Sequence, residues 1–272
     1  MDRSFNKYEI ISRLGSGHYA DVYEAFDITN PDEYVAIKIL KDDFSQSPDF
    51  PQIKERFARE AEETRKLHHP GLVEVKEHGL WNGRLYIVME LVRGKSLDKI
   101  IHEKKKLSWG ETLSMAQQIA RTLDYLHQKE IIHRDLKPSN ILVRKDGVVK
   151  IADLGLAKFK NLQSITFSTG ILGTPPYMAP ESWIPESRSH QVSPATDIYA
   201  LGCIVYEMLT GEQLFSMTNP NEAYYLHVVR GAFLPSDWPA GVPRNIRQVL
   251  GFAVQKNHGQ RYKRAGDFAR AL

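Results

Sequence analysis

Up to about Glu90 the chain alternates apolar and polar residues with the two-residue period of half-buried strands. Tyr8 to Leu14, Asp21 to Phe26, Tyr34 to Leu40, Leu72 to Leu80 and Arg84 to Glu90 are rich in β-branched and aromatic residues, with Gly, Asn and Pro between them. One helix interrupts this set, from about Ile53 to Leu67, where Ile53, Phe57, Ala61 and Thr64 recur at helical spacing. Beyond Glu90 the helical period takes over. Leu113, Ala116, Ile119, Ala120, Leu123 and Leu126 predict one apolar stripe on a helix from Trp109 to Gln128. Thr196 to Thr210 is apolar almost all round, which predicts a buried helix, started by Ser193-Pro194 and stopped by Gly211. Ala265 to Leu272 reads as a last helix. Between Asp153 and Glu181 there is no period, only a stretch rich in Ser, Thr, Gly and Pro, and so long a loop is usually functional or mobile. The pattern predicts an α+β fold with two lobes. A small antiparallel β-sheet lobe with one helix runs to about residue 91, a hinge lies near 90–94, and a larger, mainly helical lobe occupies about 95–272.

Composition changes this picture little. A chain of 272 residues allows one or two domains, and 42% hydrophobic with 25% charged residues is ordinary for a globular protein. The net charge of +3, from 36 basic and 33 acidic residues, is too small to argue for nucleic acid or a membrane surface. Lys104-Lys105-Lys106 reads as a solvated face. The single Cys203 rules out an internal disulfide framework or a cysteine-rich metal site and suits a reducing compartment. Lying in the apolar run Ile198 to Leu209, it reads as a small buried hydrophobe. No apolar stretch approaches the roughly 18 residues that span a bilayer, and Met1-Asp2-Arg3 opens no signal peptide. A cytoplasmic location is expected, either as a separate protein or as the cytoplasmic domain of a longer, membrane-anchored one.

The densest chemistry lies in His133-Arg134-Asp135-Leu136-Lys137-Pro138-Ser139-Asn140, followed by Asp153-Leu154-Gly155. An acid, a cation, an amide and a second acid at these spacings suit phosphoryl transfer, which needs phosphate charge neutralised and an attacking hydroxyl oriented. Asp135 would accept the hydroxyl proton, Lys137 would steady the migrating phosphoryl, and Asn140 with Asp153 would hold magnesium. Asp135 or Asn140 alone could merely cap a turn; the whole run at this spacing carries the reading. It resembles the H-R-D-L-x-x-x-N catalytic loop and D-F-G motif of eukaryotic-type serine/threonine protein kinases, in the style of bacterial members, with Leu154 where Phe is usual.

Other segments extend the resemblance over nearly the entire chain, as a single kinase domain of residues 1–272. Gly15-Ser16-Gly17-His18-Tyr19-Ala20-Asp21-Val22 resembles the glycine-rich phosphate loop, with Ala20 in place of its third glycine. Val35-Ala36-Ile37-Lys38 resembles the strand whose lysine contacts the α- and β-phosphates, and strand alternation puts Ala36 and Lys38 on one face. Glu60 falls within the apolar stripe of its helix, where a carboxylate is costly unless paired, and Lys38 is the natural partner. The resemblance implies that Leu14, Gly15, Gly17, Val22, Ala36 and Leu142 line the nucleotide. It implies that Met89 guards the back of the adenine pocket, and that the backbone of Glu90 and Val92 bonds the base. ATP and Mg2+ are the implied cofactors, with Mn2+ as a substitute.

On the substrate side, Ala179-Pro180-Glu181 resembles the A-P-E motif, and Gly173-Thr174-Pro175-Pro176-Tyr177-Met178 before it resembles the peptide-docking loop. The resemblance implies that Thr174 bonds Asp135 and Lys137 and favours serine or threonine acceptors. It implies that Asp197 braces the catalytic loop and that Arg261 pairs with Glu181. Arg134 before the catalytic Asp implies control by phosphorylation of the activation segment, at Ser164, Thr166, Ser168 or Thr169, with a transient homodimer for autophosphorylation. The expected partners are ATP and protein substrates with Ser/Thr acceptors, with no nucleic acid and no membrane segment in this chain. A pseudokinase binding nucleotide or a partner would be signalled by loss of Lys38, Asp135, Asn140 or Asp153, and all four are present. Against a small-molecule phosphotransferase stand Thr174, Ala179-Pro180-Glu181 and the Asp197 helix.

Overall fold

The structure, a computed structural model, describes residues 4–17, 20–41, 50–154, 175–183, 192–216 and 221–272, without the side chains of Gln52, Ile53, Arg56, Glu60, Asn221 and Ala223. It divides into two compact units, Met1–Arg93 with Asp153–Ile165, and Gly94–Ala152 with Thr166–Leu272.

The first unit is built on a six-stranded sheet with the order β1-β2-β3-β4-β6-β5, each neighbouring pair antiparallel. Its strands are β1 (Ser4–Phe5), β2 (Tyr8–Ser16), β3 (Ala20–Asp27), β4 (Asn30–Leu40), β5 (Val75–Trp81) and β6 (Arg84–Glu90). Side-chain alternation gives the central strand β4 two faces. Val35, Ile37 and Ile39 enter one core cluster with Phe5, Tyr8, Ala25, Tyr86 and Val88. Leu40, on the other face, joins Phe57 and Leu85 in a second cluster. Phe57 belongs to helix α1 (Phe50–Arg65), where it and Ala61 are buried and Thr64 half-buried, as the helical spacing predicts. The β5–β6 turn is Asn82-Gly83 at φ +47° and +79°, the left-handed pair that a two-residue hairpin requires.

The start of β5 differs from the sequence pattern. Leu72 and Val73 are buried, yet β5 starts only at Val75. The His69 ring Nδ1 accepts from the Gly71 N–H at 3.0 Å and the His69 carbonyl accepts from the Leu72 N–H at 2.9 Å, so this segment is spent on a turn.

In the second unit, α2 (Leu97–Lys104) is followed by α3 (Trp109–Gln128), which starts where Ser108 and Glu111 form a reciprocal capping box. Of the stripe the spacing predicts, Ala116, Ile119, Ala120, Leu123 and Leu126 are fully buried, and Leu113 at its start is half-buried. Helix α4 (Pro194–Thr210) is buried along almost its whole length, Cys203 included. It ends at Gly211, whose φ of +78° and close approach to the Lys105 carbonyl leave no room for a Cβ. A three-stranded sheet of β7 (Gly94–Ser96), β8 (Ile141–Arg144) and β9 (Val149–Ile151) flanks the catalytic-loop segment in sequence. Helices α5 (Ile246–Ala253) and α6 (Ala265–Ala271) lie near its C-terminal end, and the Asp124 carboxylate on α3 caps the N–H groups of Ala265 and Gly266. No helix among the described residues is long and apolar enough to cross a membrane.

Candidate active site

In the first unit the register gathers the sequence-predicted nucleotide residues on one face. Gly15 pairs with Val22, Val22 with Lys38, Lys38 with Ile87, and Ala36 with Met89. Cross-strand partners share a face, so these residues line the side of β4 opposite the Val35–Ile37–Ile39 core. Leu14 sits at the irregularity between Arg13 and Gly15 and is exposed. The Gly17 N–H bonds the Ala20 carbonyl at 2.8 Å and so closes the glycine-rich turn; His18 and Tyr19 lie outside the described residues.

Lys38 is only 7% exposed, and its ammonium lies 2.6 Å from Asp153 Oδ1. Sequence reasoning favoured Glu60 as its partner. Helix α1 does pack on the Lys38 face, through Phe57 against Leu40, but the Glu60 side chain lies outside the described residues. The partner in the structure is Asp153, itself in the left-handed region at φ +63°, a conformation Asp tolerates better than most residues. Leu154 beside it is buried, and Gly155 lies outside the described residues. One expectation needs narrowing. The Glu90 N–H already donates to the Glu74 carbonyl at 2.9 Å, so Glu90 can offer a base only an acceptor. Met89 and Val92 are half-buried.

In the second unit the catalytic-loop residues converge on Asp135. Lys137 Nζ lies 3.0 Å from Asp135 Oδ2, and the Asn140 amide donates to the Asp135 carbonyl at 2.9 Å and to Oδ2 at 3.3 Å. Both cationic and amide contacts fall on Oδ2, which leaves Oδ1 as the open edge of the carboxylate among the described residues. Because Asn140 points its NH2 at Asp135, its amide oxygen faces elsewhere. Pro138–Asn140 form a single 3-10 turn, and the Asn140 carbonyl accepts from the Ala152 N–H at 2.8 Å. Leu142 on β8 is half-buried and pairs with Ser96 and Lys150.

Asp197, in the first turn of α4, holds this loop from below. Its Oδ2 accepts from the His133 N–H at 2.9 Å and its Oδ1 from the Arg134 N–H at 2.9 Å. The His127 ring Nε2 is 2.8 Å from Oδ2. Burial alone would push the Asp197 carboxyl up, but the bond to His127 and the backbone N–H groups outweigh it and hold it below the ordinary carboxylate range. The brace keeps Arg134 at φ +65°, a costly conformation for arginine, and thereby fixes the direction of Asp135. His133 spans the loop, its Nδ1 accepting from the Asp135 N–H at 3.3 Å and its Nε2 donating to the Ala152 carbonyl at 3.2 Å.

A second anchor is the buried pair of Glu181 and Arg261, bidentate with both N···O distances 2.8 Å. Arg261 also donates to the carbonyls of Gln255, Ala195 and Lys256, so all five of its N–H groups are used. The turn before Glu181, Pro175–Tyr177, is tied down by the Tyr177 hydroxyl on Glu207 at 2.5 Å. Burial raises the Glu207 carboxyl, only partly offset by that bond. Sequence reasoning missed Glu207 and His127, though both carried a signal: Glu207 is a carboxylate inside an otherwise apolar run, and His127 lies four residues after Leu123 on a buried stripe. The segment with Thr174, Ser164, Thr166, Ser168 and Thr169 lies outside the described residues.

The expected metal ligands suit a hard divalent cation in their chemistry, an amide oxygen at Asn140 and a carboxylate at Asp153. Asn140 keeps its oxygen turned away from Asp135 for such a role, and no cluster of three or more His, Cys, Asp or Glu among the described residues offers an alternative site.

Comparison with known proteins agrees with this architecture. The profile described as "Protein kinase domain" matches residues 8–263. Serine/threonine-protein kinase PknA of Mycobacterium tuberculosis is 35% identical over 271 residues, 98% of this chain and 60% of PknA. Serine/threonine-protein kinase PrkC of Bacillus subtilis is 34% identical over 265 residues, 97% of this chain and 40% of PrkC. The chain therefore spans less than two thirds of the length of these curated relatives. Among solved structures, the kinase domain of PknI from Mycobacterium tuberculosis matches with a TM-score of 0.73 and 25% identity, covering 98% of this chain and 96% of that one.

Proposed function

The chain belongs to the protein kinase domain family, and from that premise we propose that it transfers the γ-phosphoryl group of ATP to serine and threonine hydroxyls of proteins. The observation that carries this reading is the environment of Asp135, with Lys137 and Asn140 on Oδ2 and Asp197 bracing the backbone beside it. Oδ1 of Asp135 takes the proton of the acceptor hydroxyl, whose oxygen attacks the γ-phosphorus as the bond to the ADP oxygen breaks. Lys137 screens the charge on the phosphoryl oxygens, and Lys38 holds the α- and β-phosphates. We assign nucleotide contacts to Leu14, Gly15, Gly17, Val22, Ala36, Met89, Val92 and Leu142, and to the Glu90 carbonyl. Asn140 and Asp153 would hold Mg2+, or Mn2+ in its place, which supplies charge neutralisation on the phosphates when bound. Glu60 is assigned to position Lys38.

Residues 1–272 form one kinase domain in this reading, with lobes of about 1–91 and 95–272, working in the cytoplasm where ATP is available and Cys203 stays reduced. The names of the relatives, all serine/threonine-protein kinases, support the acceptor class. Arg134 supports control by phosphorylation: its Nε is buried without a hydrogen-bond partner among the described residues, a donor to which an anion would be welcome. Ser164, Thr166, Ser168 and Thr169 are the assigned acceptors, modified in trans within a transient homodimer.

The test uses labelled ATP, magnesium and casein. Wild type should transfer label, Asp153→Ala should abolish transfer, and Lys38→Met should lower it by orders of magnitude. Equal transfer by wild type and Asp135→Asn would refute the assignment of Asp135. Mass spectrometry after incubation with ATP should find phosphate between Asp153 and Glu181, and its absence there would remove the regulatory part.

A further inference from the structure

Glu181 sits in a short 3-10 turn, Pro180–Trp183, a few residues after the turn at Pro175–Tyr177. Its carboxylate is buried, and Arg261 is not its only partner. The Thr196 hydroxyl donates to Glu181 Oε1 at 2.8 Å, the same oxygen that accepts from Arg261 Nη1 at 2.8 Å, while Oε2 accepts from Arg261 Nη2.

Thr196 is buried in the first turn of α4, and its hydroxyl is engaged both ways. As an acceptor it takes the Ser193 N–H at 3.3 Å, a backbone donor at a helix start, where intrahelical partners are missing. As a donor it has one proton, and that proton goes to Glu181. A valine has the same branched shape and would fill the same space, so packing does not account for the hydroxyl. Capping accounts for a lone pair but not for the proton, and the shorter of the two contacts is the one to Glu181.

What the third bond adds is direction. The guanidinium fork of Arg261 fixes the two carboxylate oxygens along one edge, but hydrogen-bond angles at such oxygens are broad, and the pair can tilt about the line of its two bonds. A third donor, on α4 rather than on Arg261, removes that freedom. Three consecutive residues of α4 then hold three parts of the unit. The Ala195 carbonyl accepts from Arg261 Nη1 at 2.9 Å, the Thr196 hydroxyl holds Glu181, and the Asp197 carboxylate holds the N–H groups of His133 and Arg134. One turn of helix is the common support of the 175–183 segment and the catalytic loop.

We propose that Thr196 is a positioning residue for the protein substrate: its hydroxyl sets the angle of the Glu181 carboxylate, and with it the placement of the 175–183 segment against the catalytic loop. The functional part rests on the kinase reading, through the resemblance of Pro175-Pro176-Tyr177-Met178 to a peptide-docking loop; the structural part rests on the hydrogen bonds alone. Asp197 keeps its own contacts when the Thr196 hydroxyl is gone. Loss of the hydroxyl therefore loosens docking and leaves the chemical step in place.

The experiment compares wild type with Thr196→Val, which keeps the shape without the hydroxyl, and Thr196→Ser, which keeps the hydroxyl with one methyl fewer. In the Val variant the KM for casein should rise about tenfold, the lower end of what one hydrogen bond to a charged group is worth. Its kcat and its KM for ATP should stay within about twofold of wild type, and Thr196→Ser should restore the KM for casein. Backbone amide exchange over 175–183 should quicken in the Val variant and not in the Ser variant. Exchange that quickens only over 193–197 would show that the hydroxyl serves the helix start alone, and the proposal would be overturned. An unchanged KM for casein in a folded Val variant would overturn it equally. If Thr196→Val does not fold, Thr196→Ala, which puts no γ-methyl group against the carboxylate, is read by the same two measurements. A wild type that phosphorylates nothing would defeat the kinase reading, and the exchange pattern would then decide the role of Thr196 by itself.

Discussion

Replacing Asp197 by Asn should damage both stability and phosphoryl transfer, and the structure sets the size of the damage. The buried carboxylate accepts from the N–H groups of His133 and Arg134 at 2.9 Å each and contacts His127 Nε2 at 2.8 Å. Asparagine has nearly the same shape but one oxygen and one NH2. Whichever way the amide turns, its NH2 meets a buried N–H, and at least one donor loses its acceptor. Hydrogen bonds to a charged group are worth about 1.5–3 kcal/mol each, so loss of the one to the Arg134 N–H costs roughly 1.5–3 kcal/mol. In a unit of this size that shifts the thermal midpoint by about 3–12 °C. The strained Arg134, at φ +65°, would also be freed to relax, which swings the adjacent Asp135 out of register with Lys137. Thermal unfolding by circular dichroism measures the first effect. Transfer to casein, assayed well below the melting point of the variant, measures the second. A loss under about 1 kcal/mol together with unchanged transfer would show that the brace does not hold the loop.

Two further predictions concern the interior of the second unit. Arg261→Met, which removes the buried partner of Glu181, should destabilise by about 3–5 kcal/mol, read as a lower urea midpoint; recovery on adding Glu181→Leu would confirm that the cost is the stranded carboxylate. His227 is fully buried, and burial lowers its imidazole, which makes stability depend on acid. Its value falls from 6.5 in the unfolded chain to about 4 in the fold, so the unfolded state takes up a proton that the native state refuses. The stabilisation is complete above pH 6.5 and shrinks as pH falls towards 4, by an amount on the order of 3 kcal/mol. His227→Gln should flatten this slope in pH-dependent melts, and identical slopes for the variant and wild type would refute the assignment.

Long periodic elements were legible because their pattern is local and their ends are signalled. Helix α3 runs from Trp109 to Gln128 as its stripe predicts, and α4 starts at Pro194 and stops at Gly211 for the reasons its termini announce. Strands β1, β7 and β9 have only two or three residues each, too few to show a period, and they exist because a neighbour pairs with them. The catalytic loop was legible for the same local reason, since its chemistry is packed into eight consecutive residues. What escaped is what distant residues create. Tyr177 meets Glu207 across 30 positions, His127 meets Asp197 across 70, and Lys38 meets Asp153 across 115. Helical spacing could nominate Glu60 for Lys38, but no periodicity points from a strand to a loop so far along the chain.

The two-faced strand β4 has a consequence for how such a chain can vary. Substitutions in Tyr34–Leu40 act on one face at a time, and either face can be tuned without disturbing the other. Adding or removing a single residue there is different in kind, because every later side chain changes sides. Ile39 would leave the core as an isoleucine stranded on the face that carries Ala36 and Lys38, and Lys38 would carry its ammonium into the cluster around Tyr86 and Val88. The strand is thus a fixed-length part, and variation in length is confined to its turns, such as Ile28-Thr29 ahead of it. Libraries built on this scaffold should vary the number of residues only in such turns.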